Sequence, residues 1–289
     1  MRGWIAALSV LLTGCVNGAK EPEDSGAHAL LQSSAVWARY GLQDGAELHA
    51  RTGPHTDVDG DGLPDLIADS PRWDGAFADE GRCAIFVGGV SEPAPLVTWS
   101  VFGGQADAML RCWPAGDVDG DGFGDVLAVS PGWSGAEVGS GRIELFCGAA
   151  SLPSTTPCWT WEPPQADAGL DAAVSVGDLN GDGSLDVAAV AAGWDAAFVD
   201  EGGVFVFLGT GTGLPDEPDW TWTCGSADCG TSGVWPAGDV DGDGFHDLLV
   251  GSPGYSGAFA GEGRVDLFAG GAAGLGGSRG GPPSAAAPP

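Results

Sequence analysis

Asp57-Val58-Asp59-Gly60-Asp61-Gly62-Leu63-Pro64-Asp65 is the first of four copies of one pattern. The others are Asp117-Val118-Asp119-Gly120-Asp121-Gly122-Phe123-Gly124-Asp125, Asp178-Leu179-Asn180-Gly181-Asp182-Gly183-Ser184-Leu185-Asp186 and Asp239-Val240-Asp241-Gly242-Asp243-Gly244-Phe245-His246-Asp247. Successive copies start 60, 61 and 61 residues apart. Side-chain oxygens occupy positions 1, 3, 5 and 9, and glycine occupies 4 and 6. Calcium takes roughly six to eight hard oxygen ligands, and a glycine at position 6 permits the sharp turn that aims them inward. Position 7 would lend only its backbone carbonyl, so Leu63, Phe123, Ser184 and Phe245 are expected to vary freely. Without a cation, carboxylates crowded into one turn repel and must take up protons or splay apart. The expectation is about four structural calcium ions, one per copy. The alternative is four plain Asp-Gly turns. Recurrence argues against it, since the single ligand change, Asn180, still offers an oxygen.

The loop is not an EF-hand, which needs a bidentate Glu at position 12 followed by a helix. Position 12 here is Ala68, Ala128, Ala189 or Val250, inside short apolar runs that read as buried strands. Each run is followed by an aromatic residue (Trp73, Trp133, Trp194, Tyr255), a Gly-rich turn and a second apolar stretch starting near 82, 142, 203 and 264. A Trp-led strand comes next at Trp99, Trp159 and Trp220, and a weaker strand precedes the following Asp loop. Four strands per unit at a fixed long period are the signature of a β-propeller. No helical periodicity competes with it.

The fourth unit stops after Phe268 without a Trp-led strand, whereas Trp37 stands unmatched 62 residues before Trp99. Residues 35–41 are therefore expected to close the ring as the outer strand of the last blade, hiding open sheet edges. The fold class is all-β, a β-propeller of four four-stranded units closed by an N-terminal strand. The expected organisation is a signal peptide over 1–15, a polar tether over 16–32, the propeller over 33–275 and a disordered Gly/Ala/Pro tail over 276–289.

With these motifs in place, the repeats resemble the FG-GAP repeats of integrin alpha-subunit propellers and their bacterial relatives. The resemblance rests on Gly116-Asp-Val-Asp-Gly-Asp-Gly with Val129-Ser-Pro-Gly, and on the run from Gly238 to Gly254. It implies that each Asp loop joins two strands of a blade and binds calcium. Integrin propellers have seven blades and this chain has four units, which leaves a four-bladed ring, an incomplete ring or a ring shared by two chains.

Met1-Arg2-Gly3 and the apolar stretch Trp4–Leu12 read as a signal peptide. Leu12-Thr13-Gly14-Cys15 resembles the lipobox of bacterial lipoproteins, which implies cleavage before Cys15 and its acylation. An ordinary signal peptide with an incidental cysteine is the alternative. Val16-Asn17 differs from the Asp-containing inner-membrane retention signal, so the expected location is the outer membrane, facing the periplasm or the surface. Six further cysteines suit an exported chain with disulfides. Cys224 and Cys229 bracket a short turn, Cys147 and Cys158 flank two adjacent strands, and Cys83 with Cys112 remain by elimination.

The formal net charge is −30, and the four loops supply 15 of the 40 acidic residues. Such a surface repels phosphate backbones and excludes nucleic-acid binding. Membrane association would run through the lipid anchor only. Four scattered His and the single Lys20 offer no catalytic cluster. Gly132-Trp-Ser134-Gly-Ala136 and Gly254-Tyr-Ser256-Gly-Ala258 lack the final Gly of a nucleophile elbow and read as turns. Asp79-Glu80, Asp200-Glu201 and Glu262 read as turn and rim residues, and His246 as solvent-facing. The expected function is a non-enzymatic, lipid-anchored, calcium-binding propeller that binds or adheres to a protein or glycan. The alternative is a polysaccharide hydrolase or lyase on the same scaffold.

Overall fold

Fifteen short strands and no helix account for the regular structure of the computed structural model, which describes residues 38, 40, 42–51, 56–89, 93–94 and 96–276. No helix among the described residues is long and apolar enough to cross a membrane. The signal peptide, Cys15 and the tail lie outside the described residues.

Each repeat forms one antiparallel sheet. The first holds β1 (His49–Arg51), β2 (Leu66–Ser70), β3 (Arg82–Phe86) and β4 (Trp99–Phe102). The second holds β5 (Arg111–Gly116), β6 (Asp125–Ser130), β7 (Arg142–Phe146) and β8 (Trp159–Trp161). The third holds β9 (Leu170–Gly177), β10 (Asp186–Ala191), β11 (Gly203–Phe207) and β12 (Trp220–Thr223). The fourth holds β13 (Gly233–Gly238), β14 (Asp247–Ser252) and β15 (Arg264–Phe268). Strands run in sequence order within every sheet, consistent with propeller blades of the FG-GAP type.

The fourth sheet departs from the expected four strands: it has three among the described residues, and β15 pairs with β14. The closing strand expected at 35–41 falls largely outside the described residues, and Ala38 and Tyr40, which are described, carry no strand. No closing strand is present among the described residues.

Alternation along the strands gives each sheet two apolar faces, and consecutive sheets pack face to face. Ile67, Cys83 and Ile85 of the first sheet meet Cys112, Val126 and Ala128 of the second. Leu127, Ile143 and Leu145 meet Val187, Ala189 and Phe207 of the third. Val190, Val204 and Val206 meet Val234, Leu248 and Val250 of the fourth. The Trp-led fourth strands staple these junctions edge to face: Trp99 on Phe146 at 5.3 Å, Trp159 on Phe207 at 5.0 Å and Trp220 on Phe268 at 5.0 Å. Such pairs contribute about 0.5–1.5 kcal/mol beyond area burial. The aromatic that follows each second strand packs on the side chain opening the third. Arg82 lies over Trp73, Arg142 over Trp133 and Arg264 over Tyr255, and in the third sheet Trp194 meets Phe205 instead.

Three disulfides are present among the described residues. Cys83–Cys112 ties the first sheet to the second, Cys147–Cys158 ties β7 to β8 across their connection, and Cys224–Cys229 closes the turn after β12.

Candidate metal centres

Every Asp loop joins the first and second strands of its sheet, so all four lie at the same strand ends. The position-1 carboxylate organises the turn. Asp57 Oδ1 accepts the backbone N–H groups of Gly60 (2.7 Å) and Asp61 (3.1 Å), and Oδ2 accepts that of Gly62 (2.8 Å). Asp178 repeats the same three bonds. Asp239 does so too, and Asp117 takes the first and last of them at 2.7 and 2.9 Å. The position-6 glycines have φ of 87°, 94°, 91° and 96°, a left-handed backbone that a side chain would strain. Asp-Gly alternation is what lets one carboxylate gather successive N–H groups.

This winding brings the acids together. One oxygen each from Asp57, Asp59 and Asp61 lie within 4.8 Å of one another, as do those of Asp117, Asp119 and Asp121, and of Asp239, Asp241 and Asp247. In the third loop Asn180 stands at position 3, accepting from Asp182 N (3.0 Å) and donating to Asp182 Oδ2 (2.9 Å). That bond, with the Ser184 N–H, holds the Asp182 carboxyl below its usual range. Asp119 also approaches Asp125 and Cys147, but Cys147 is committed to its disulfide. Among the described residues, no ion pair reaches a loop carboxylate: every Arg and His pair involves another acid. The oxygen-only donor set and this uncompensated charge both fit a hard divalent cation.

Position 9 has a second task that spacing alone does not reveal. Asp65, Asp125, Asp186 and Asp247 are buried, and each carboxylate bridges two backbone N–H groups. One belongs to its own loop: Val58, Val118, Leu179 or Val240, at 2.7–2.8 Å. The other lies just after the third strand: Gly88, Gly148, Gly209 or Gly270, at 2.7–2.9 Å. Burial, helped by neighbouring loop acids, pushes Asp125 up to about 7 and Asp186 up to about 6, and raises Asp65 in the same direction. A carboxyl whose folded pKa is raised favours the folded state below its unfolded value and loses that contribution as pH rises through the folded one. The metal-free protein is therefore expected to lose stability between about pH 4 and pH 7. Thermal melts across that range should show the decline in calcium-free buffer and a flat or rising profile in calcium.

One expectation is corrected by contacts between neighbouring loops. Position 7 is not free. The Phe123 ring covers Gly60 and the Phe245 ring covers Gly181, so a Cβ at either glycine would run into the ring of the following loop. His246 is exposed, as the sequence indicates, and in addition its Nδ1 accepts the Asp178 N–H at 3.1 Å and its own N–H donates to Asp178 O at 2.9 Å. It links the fourth loop to the third.

The turns between second and third strands occupy the opposite ends of the sheets. There Glu201, read from sequence as a rim residue, is buried, and its Oε1 accepts N–H groups from Ala196, Ala197 and Phe198. Buried Glu80 accepts from Ala76, and exposed Glu262 from Ala258 and Phe259. The second repeat has Ser140 at this position, and Glu162 of the adjoining strand end reaches in to Trp133 Nε1 (2.8 Å) and Ala136 N instead. Ser134 and Ser256 accept backbone N–H groups where Asp74 and Asp195 do the same, so these serines brace turns. The acids hold the turn tips outward and leave Phe77, Val138, Phe198, Val199 and Phe259 exposed.

Residues 236–268 match the FG-GAP repeat family. Integrin alpha-PS5 of Drosophila melanogaster is 34% identical over 149 residues, 48% of this chain and 14% of that protein. Mouse phosphatidylinositol-glycan-specific phospholipase D is 30% identical over 187 residues, 62% of this chain and 22% of its own length. Human integrin alpha-IIb is 29% identical over 119 residues, 38% of this chain and 11% of that protein. The chain thus spans less than a quarter of the length of these relatives.

Proposed function

We propose that this chain is a calcium-stabilised binding module, anchored to the cell envelope through acylated Cys15, that presents a protein- or glycan-binding face. One observation carries the reading: the two ends of the sheets differ in chemistry. One end carries the four Asp loops, three of which bring carboxylate oxygens together, and the other a repeated row of exposed apolar tips. Asp57, Asp59, Asp61, Asp65 and their equivalents would hold the ions, with the Leu63, Phe123, Ser184 and Phe245 carbonyls completing each set. Calcium would supply fixed positive charge that locks the first-to-second and third-to-fourth strand connections together. The tips of Phe77, Phe198 and Phe259 would then stand on a rigid scaffold, and exposed aromatics of this kind are favoured contact residues.

The test is a panel of immobilised glycans and extracellular proteins, probed in calcium with the chain and with Phe198→Ser/Phe259→Ser. Binding that the double variant loses at least tenfold, with an unchanged melting temperature, supports the reading. Binding that the variant retains in full contradicts the assignment of this face. Because one relative is a phospholipase D, the same panel is scored for product release. Turnover of a polysaccharide or glycolipid would replace the binding reading with the enzymatic one.

A further inference from the structure

We infer that the free face of the fourth sheet is a self-association surface that packs against the first-sheet end of a second copy of this chain. Each internal junction buries the forward face of one sheet on the rear face of the next. In the third strands, the forward positions are Cys83 and Ile85, then Ile143 and Leu145, then Val204 and Val206, all fully buried. The fourth sheet has apolar residues at the same two positions, Val265 and Leu267, but they are 67% and 51% exposed. Trp235 beside them is 51% exposed, whereas its counterpart Trp113 packs into the second junction. The fourth sheet is built for a neighbour that the chain does not provide among the described residues.

The opposite end of the row is apolar as well. Leu48, Ala68 and Ala84 line a groove on the first sheet, and Tyr40, Leu42 and Leu96 at its margin are 82%, 79% and 76% exposed. Ala68 and Ala84 are themselves buried, so it is these marginal side chains that stand exposed, on a chain whose net charge of −30 normally keeps surfaces wet and apart. The two ends differ from each other, so a contact between them joins unlike surfaces of two copies. Head-to-tail pairing of unlike ends extends the packing already used at three junctions. Two copies would place eight sheets in series, a number that known propellers close into a ring. If the rotation does not close, the same contact runs on into longer assemblies.

Light scattering and sedimentation velocity in calcium, on the full chain carrying Cys15→Ser, read the outcome directly. The expected mass is twice the 28.9 kDa of one chain, or a higher multiple. Val265→Asp/Leu267→Asp should give monomers, and so should Leu42→Asp/Leu96→Asp, each with a melting temperature that shows it folded. Mixing the two double variants should then restore a one-to-one dimer, because each retains the end that the other lacks. A wild-type monomer at 100 μM overturns the inference. So does a dimer that either variant leaves intact, or a mixture that stays monomeric, which would indicate a symmetric contact or cover of the fourth sheet by the chain's own N-terminal residues.

Discussion

Stripping calcium from the folded chain is expected to lower its melting temperature by about 10–20 °C. Extracellular calcium modules bind with dissociation constants of roughly 10⁻⁴–10⁻³ M. At a calcium concentration about ten times that constant, each site adds about 1.4 kcal/mol, and four sites together add about 5–6 kcal/mol. For a folded region of this size each kcal/mol moves the midpoint by about 2–4 °C. The stabilisation has a local cause: three carboxylate oxygens meet in the first, second and fourth loops with no basic side chain to offset them among the described residues. Magnesium demands tighter octahedral geometry and should restore much less of the loss. Calorimetric scans with and without chelator, then with each ion restored, check this. Superimposable melts would rule out a structural role for the metal.

Asp186→Ala is expected to destabilise the metal-free protein by about 3–5 kcal/mol, through hydrogen bonding alone. Its carboxylate is fully buried and accepts Leu179 N at 2.7 Å and Gly209 N at 2.8 Å. Truncation leaves two buried donors unsatisfied, each costing about 1–3 kcal/mol, and removes charge-assisted bonds that no water can readily replace. Asp182→Ala provides the contrast. That carboxylate is exposed, and its Oδ1 accepts the Ser184 N–H within the loop, so the expected loss without calcium is below about 1 kcal/mol. Both variants should weaken calcium binding. Urea titrations in chelator separate the two roles: equal, small losses for both would mean that position 9 serves the metal alone.

Much of this architecture is legible in the sequence. The 60–61-residue period, the apolar runs after each loop and the Trp-led strands locate the four sheets because each is local chemistry repeated in register. The missing strand after Phe268 was equally visible, as a Trp-led stretch that the last repeat lacks. Contacts across repeats were not. Nothing in the spacing says that Phe123 will cover Gly60, since the ring comes from a loop about one repeat away. Glu201 looked like a rim acid because Gly-rich turns normally face water, yet burial and three backbone donors make it a brace. Its recurrence with Glu80 and Glu262, just behind an exposed apolar tip, was the available signal. The calcium pattern accounts for position 9 with one role, and nothing in its spacing signals the hydrogen bonds to the segment after the third strand.

Calorimetric titration of calcium into the metal-free full chain bearing Cys15→Ser tests the central claim most directly. The predicted result is close to four sites per chain, with the Asn180 loop the weakest because it has one carboxylate fewer. No measurable binding at millimolar calcium would contradict the account and return the four loops to hydrogen-bonded turns.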